Sequence, residues 1–239
     1  MNQEKCWDYY QNEGLENFDQ SYTRLHYLAK LLNTLMRPTT GSSLRVLNVG
    51  VGNGSFEELC SKAGHEVWCL DPSERAVRHL ESKISVHAVA GTIQDAVLPA
   101  DYFSAINMSE VLEHLSDDEL ARALGNVNRM LRAGGLLVGT VPHQEKLRHN
   151  MIVCPHCGET FHRWGHHQSF SPRRLSELLD SHFPVVKTWV RPFVAWNKLN
   201  WKGKVLGGMQ HLLSFARLHG STETIVFYGR KARGLPWRP

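Results

Sequence analysis

The sequence predicts an α/β protein built on a parallel sheet, and three observations carry that expectation. Short apolar runs alternate with segments of helical spacing, a glycine cluster joins the first such run to the helix after it, and the second run ends on an aspartate. Taken in order, Leu15 to Met36 sets Phe18, Tyr22, Leu25, Leu28, Leu32 and Leu35 at three-and-four spacing, an amphipathic helix that ends before Pro38. It makes residues 1–40 a helical cap ahead of a main domain over 41–239, and Thr39 to Ser43 is the connecting loop. Leu44 to Val49 is the first strand, and Ser55 to about Ala63 the helix after the glycines. Glu66 to Leu70 is the second strand, closing on Asp71; Pro72 and Ser73 then open a helix through roughly Lys83. Val86 to Val89 and Tyr102 to Met108 are strands three and four, and Asp117 to Arg132 is a helix stopped by Gly134 and Gly135. Leu136 to Val141 is the fifth strand and leaves the sheet at Pro142. A later helix contains Leu175 to Leu179, and Val185 to Val190 and Thr224 to Tyr228 are the last strands.

Composition narrows the function before any motif is read. Of 239 residues, 27 are Lys or Arg and 23 Asp or Glu, so the formal net charge is +4, too small to argue a nucleic-acid partner from bulk charge. No apolar run approaches the roughly 18 residues of a membrane span. The N-terminal MNQEKCWDYY has no apolar signal-peptide core, so the sequence reads as cytoplasmic. Five cysteines include one close pair, Cys154 and Cys157, which in a reducing compartment points to metal or redox chemistry; Cys6, Cys60 and Cys69 read as inert thiols.

Gly50, Gly52 and Gly54 lie where a strand turns into a helix, and without side chains there the backbone can turn sharply and approach a ligand closely. The spacing is G-x-G-x-G, one residue tighter than the dinucleotide fingerprint. Asp71 follows Gly54 by 17 residues, at a strand end where a carboxylate can accept from both hydroxyls of a ribose. Together they describe a site for an adenosine-type cofactor.

The run LNVGVGNGSFEEL, followed by LDPS, MSEVLEHL and MLRAGGLLVGTVP, resembles the class I S-adenosylmethionine-dependent methyltransferases over about Leu44 to Pro142, more weakly through Ser171 to Tyr228. The resemblance implies a Rossmann-like seven-stranded sheet with helices on both faces and S-adenosylmethionine as cofactor. It implies that Gly50, Gly52 and Gly54 border the methionine and ribose, that Asp71 holds the ribose hydroxyls, that Thr92, Ile93 and Gln94 flank the adenine, and that Ser109 lines the cleft floor beside the sulfonium. Two positions depart from the family: Asn48 stands where an acid is usual, keeping an acceptor without the charge, and Phe103-Ser104 replaces an aromatic-Asp pair.

A sulfonium methyl is already activated, so the enzyme must chiefly align the acceptor and remove a proton if the acceptor is an alcohol. Candidate bases are His114 in SEVLEHL, which also reads as a structural histidine opening a helix, His143 after the fifth strand, and His166, which by resemblance lies near the acceptor. No Asn/Asp-Pro-Pro-aromatic motif follows the fourth strand and no Pro-Cys pair occurs, which turns the reading away from amide or base nitrogens and from cytosine carbon-5. Oxygen methylation of a small polar metabolite, a sugar or biosynthetic intermediate, is the leading expectation.

Within an insertion over 143–170, Cys154, Cys157, His162 and His167 have the spacing C-x2-C-x4-H-x4-H of a structural zinc knuckle, with His166 as an alternative fourth ligand and free thiols as the alternative state. Arg163 and Trp164 there offer a cation and a stacking face, so an RNA or tRNA methyltransferase is a second expectation. A non-catalytic cofactor-binding or zinc-dependent interaction module is a third. Residues 191–222 form an acceptor-side cap in which Arg191, Phe193, Trp196 and Trp201 either shape the acceptor pocket or pack on the core.

Overall fold

In a computed structural model the described residues are 21–37, 42–194, 200–215 and 223–233, with backbone alone for 210–215. Phe18, Thr39, Thr40, Cys6, Trp196 and residues 216–222 of the expected cap lie outside them. The β-branched and leucine-rich runs become β1 (Arg45–Val49), β2 (Glu66–Asp71), β3 (His87–Ala90), β4 (Phe103–Ser109) and β5 (Leu131–Pro142), all parallel. β6 (Met151–Val153) and β7 (Thr160–His162) form a separate hairpin, and β8 (Val185–Arg191) and β9 (Thr224–Arg230) complete the main sheet. The helices are α1 (Tyr22–Met36), α2 (Ser55–Lys62), α3 (Glu74–Glu81), α4 (Asp117–Met130), α5 (Pro172–Asp180) and α6 (Trp201–Phe215). The sheet order is β3-β2-β1-β4-β5-β9-β8, with β9 antiparallel to both neighbours.

Successive strand residues point to opposite faces, so each strand feeds two cores. Leu47, Leu70, Ile106, Leu137 and Phe227 pack with Leu124 and Val127 of α4 and Leu175 and Leu179 of α5. Val46, Val67, Ala105, Val138 and Val226 face the other way, onto Leu28 and Leu32 of α1 and Phe56 of α2. Leu28 and Leu32 are fully buried, each contributing roughly 2 kcal/mol of apolar burial that fastens α1 to the sheet. β4 and β5 approach so closely that a Cβ on Gly139 would fall 1.9 Å from the Met108 carbonyl oxygen.

Local signals set the helix starts. The Ser73 hydroxyl accepts from the Ala76 N–H at 3.3 Å, Ser116 and Glu119 form a capping box for α4, and Ser171 with Pro172 opens α5. One boundary differs from expectation: α4 ends at Met130 rather than Arg132. Leu131 is already extended and paired with Phe103, and the register resumes at Ala105 and Leu136. Gly134, at φ 71°, therefore serves a bulge inside the strand rather than a helix stop.

Candidate active site

The order β3-β2-β1-β4 places four strand ends in a row, and above them opens a cleft of about 370 Å³. Asn48, Gly50, Gly52, Asp71, Thr92, Ile93, Gln94 and Ser109 all line it. Of the residues expected to border a cofactor, Gly54 alone is not on the wall. It caps α2 at φ 79°, and a Cβ there would meet Leu80 Cδ1 at 2.5 Å, so its glycine serves the turn and helix packing.

Asp71 closes the loop as well as lining the cleft. Its Oδ2 accepts from the Val51 N–H and its Oδ1 from the Ser73 N–H, both at 2.8 Å, tying the glycine loop to the next helix start. A carboxylate oxygen can accept more than one hydrogen bond, which is the chemistry that the two hydroxyls of a ribose require. On the β3 side, Ile93 is 3 % exposed and gives a planar base an apolar face, while the Gln94 Oε1 is buried with no hydrogen-bond partner. This end of the cleft thus joins a carboxylate, an apolar face and a buried amide oxygen.

On the β4 side three groups went unremarked in the sequence. Arg24 of α1 lines the cleft and donates from Nε to Ser109 Oγ at 3.1 Å, and that hydroxyl pairs with Thr140 Oγ1 at 2.8 Å. A guanidinium there suits a carboxylate. Beside it Glu110 adopts φ 58°, a strained backbone for a non-glycine residue. Glu57, fully buried on α2, accepts from Asn48 Nδ2 at 2.7 Å. No periodicity or motif singles out a helical glutamate, and only the packing of α2 on β1 brings it here.

His114 lines the cleft, follows β4 through a short turn and hydrogen-bonds through Nδ1 to the Gly165 carbonyl at 3.3 Å. Burial, then the neighbouring His166, pushes its pKa down to about 3, so it is neutral at pH 7 with the proton on Nδ1 and a lone pair on Nε2. The His166 ring meets His114 edge-on at 4.7 Å and stacks on His162 at 4.8 Å. Its Nδ1 is hydrogen-bonded to Glu145 Oε2, while Asn150 Nδ2 holds Glu145 Oε1 at 2.7 Å. Burial raises the Glu145 carboxyl, but the hydrogen bond and charge of His166 outweigh it and hold the group below its ordinary pKa. Glu113, wholly buried, is raised well above its ordinary value by burial and then by Glu110. His143 extends β5 into a bridge with Phe170 and is not among the cleft's lining residues, against its expected place on the cleft edge.

The four expected zinc ligands do not converge. Cys154 and Cys157 occupy the tip of the β6–β7 hairpin, His162 sits at its root opposite Met151, and His167 is exposed. At roughly 3.3 Å per strand residue, the hairpin itself keeps tip and root apart. Among the described residues, neither cysteine belongs to a group of three ligand atoms within 4.8 Å of one another; the groups that do are Glu145, His162, His166 and Glu113, His114, His166. The first has the wrong proton pattern for a cation. His162 Nδ1 accepts from the His166 main-chain N–H at 3.1 Å, so the proton of the neutral ring is on Nε2, the nitrogen facing Glu145 Oε1 at 3.3 Å. A metal-bound imidazole instead donates from its second nitrogen.

Cys60 and Cys69 are buried thiols, each pushed up to about 12 chiefly by burial. The Trp164 face carries its own neighbour Arg163, 4.9 Å from the centroid, and Arg191 lies 4.1 Å over Tyr27 of α1. Among the described residues no helix is long and apolar enough to cross a membrane.

Comparison with known proteins gives these features a lineage. The ubiquinone biosynthesis O-methyltransferase of Rhizobium etli is 33% identical over 151 residues, 59% of this chain and 58% of that protein. The enzyme of the same name from Agrobacterium fabrum is 31% identical over 180 residues, 72% of this chain and 65% of that protein. The chain thus spans about three fifths of the length of these curated relatives. Among solved structures, the 1,6-didemethyltoxoflavin-N1-methyltransferase of Burkholderia thailandensis, with S-adenosylhomocysteine bound, superposes with a TM-score of 0.66. It is 17% identical and matches 96% of this chain and 87% of its own. A SAM-dependent methyltransferase from Archaeoglobus fulgidus gives 0.60 at 19% identity, over 90% and 99%. At those identities the structures speak to the fold alone. The model of the methyltransferase domain family, in contrast, matches residues 20–182, from α1 past α5, and so takes in the whole cleft; the chain belongs to the methyltransferase domain family.

Proposed function

We propose that the protein transfers a methyl group from S-adenosylmethionine to an oxygen of a small polar metabolite, a sugar or a biosynthetic intermediate. The observation that carries the reading is one cleft that gathers Gly50, Gly52, Asp71, Ile93, Gln94 and Ser109 from four consecutive strand ends. Asp71 would take the ribose hydroxyls, Thr92, Ile93 and Gln94 the adenine, and Arg24 the methionine carboxylate. Bound there, the cofactor supplies an electrophilic methyl on a cationic sulfur. Supporting an oxygen acceptor, the two relatives named above carry the name O-methyltransferase.

An alcohol must lose its proton as its oxygen attacks the methyl carbon and the carbon–sulfur bond breaks. His166 is the group suited to hold it, because Glu145 accepts from its Nδ1 and would compensate an imidazolium, whereas His114, with a pKa of about 3 a poor base, packs against it as a neutral ring at the cleft wall. The proton would end on the His166–Glu145 pair, with S-adenosylhomocysteine and the methyl ether as products. Calorimetric titration with S-adenosylmethionine, followed by a screen of hydroxylated metabolites for S-adenosylhomocysteine release, tests both halves. Stoichiometric binding with turnover on such an acceptor supports the reading. Binding without turnover on any acceptor would leave a cofactor-binding module, and turnover only on RNA would transfer the reading to nucleic acid.

A further inference from the structure

Glu57 is a group that the proposed chemistry does not use and that the fold does not explain. Its side chain is fully buried, Oε1 accepts from Asn48 Nδ2 at 2.7 Å, and Oε2 has no hydrogen-bond partner. An ionised carboxyl is costly in such a place without a counter-charge. Among the described residues no cation supplies one: the charged groups acting on it most strongly are Asp71 on β2 and Glu58 on its own helix, both negative, and the Cys60 and Cys69 thiols nearby stay neutral.

The sheet order says what could. With the adenine by β3 and the ribose on Asp71 of β2, the amino-acid tail of the cofactor must run towards β1 and β4, where Asn48, Gly50, Ser109 and Arg24 line the cleft. That tail is a zwitterion, and Arg24 matches its carboxylate. Its ammonium would then lie beside Asn48. Both hydrogens of the Asn48 amide are engaged, Nδ2 donating to Glu57 and to the Gly50 carbonyl at 3.0 Å, and Oδ1 accepts from Asn107 Nδ2 at 2.7 Å. Its dipole links the cleft wall to the hidden carboxyl.

We infer that Glu57 is the counter-charge for the amino group of the bound cofactor, acting across the Asn48 amide, so that cofactor binding draws a proton off this carboxyl. The inference rests on the cleft binding S-adenosylmethionine. Burial, partly offset by the Asn48 hydrogen bond, raises the empty protein's Glu57 to about 7. A cation placed one amide away favours the charged form and lowers it. Binding should therefore strengthen as pH rises from 6 to 7.5, the interval in which the empty protein's carboxyl still holds part of its proton.

The test is calorimetric titration with S-adenosylhomocysteine, which keeps the amino group and lacks the sulfonium, at pH 6 and 7.5 in buffers of different ionisation enthalpy. In the wild type the affinity should rise several-fold and a fractional proton should be released on binding. Glu57→Gln keeps an acceptor for Asn48 and removes the charge; its affinity should be flat with pH, release no proton, and fall about tenfold at pH 7.5. Asn48→Asp combined with Glu57→Gln should recover affinity. Methylthioadenosine, which lacks the amino-acid tail and its α-amino group, should bind wild type and Glu57→Gln alike, and an equal loss there would mark Glu57 as merely structural and overturn the inference. Tight, pH-independent binding of S-adenosylhomocysteine unchanged in Glu57→Gln would overturn it while leaving the cofactor reading intact. Binding of neither ligand by the wild type would remove both.

Discussion

The glycine loop with Asp71 and the Cys/His insertion were both legible as spacing patterns, yet only the first, Gly54 excepted, gathers its residues around one cleft. Gly50, Gly52, Asp71 and Thr92 to Gln94 follow strand ends, so the sheet's hydrogen-bonded register delivers them to one edge whatever their side chains do. Cys154, Cys157, His162 and His167 are instead distributed along a hairpin, where strand pairing fixes which residues share an end. Main-chain geometry carries a motif at a strand end; side-chain direction decides one in a hairpin.

The severest challenge to this contrast is Gly52→Arg. A guanidinium in the cleft should weaken cofactor binding at least about 100-fold, roughly 2.7 kcal/mol, while circular dichroism stays that of the wild type; undiminished binding would detach the glycine loop from the cofactor. Glu145→Gln and His166→Ala come next. Each should lower turnover by roughly 10²-fold with cofactor affinity unchanged, and equal turnover would eliminate the histidine group as a proton acceptor.

Asp71→Asn sets an amide N–H against a main-chain N–H. It should cost about 2 kcal/mol of folding stability, read by urea unfolding, and a stable variant would show the loop to be held by other contacts.

Glu57 predicts a pH slope in the empty protein. Its folded pKa of about 7 lies above the unfolded 4.5, so the folded state binds the extra proton and stability falls as pH rises through that window. Glu57→Gln should flatten the slope in melting temperature between pH 5 and 8; an unaltered slope would assign it to another group. The smallest effect is expected of Cys157→Ser, within about 0.5 kcal/mol and with unchanged bound metal by elemental analysis. A fall in metal content together with melting temperature would restore the knuckle.

Legibility tracked the distance over which each residue acts. The serine caps, the glycine turn and the strand-ending Asp71 are readable because helix starts and parallel strand ends are written in a few adjacent residues. The last strand pair was found as two strands, but its insertion order, β9 between β5 and β8, depends on pairing across more than 80 residues from Pro142 to Thr224. Glu145 escaped notice because its partner His166 is 21 residues away, and Arg24 because its Ser109 contact spans 85.

The α/β architecture and the sheet edge where the glycine loop, Asp71 and His114 line one cleft were written in the chain, since each follows from local periodicity or from a residue's place at or just after a strand end. Which carboxylates lie near the cleft was settled by packing. Glu57, Glu113 and Glu145 read as ordinary charges in the sequence, and burial with one specific neighbour each, Asn48, Glu110 and His166, shifts them away from ordinary acids. A carboxyl's chemistry is set by the water it loses and the partner it gains, and both are assigned only when distant segments pack together.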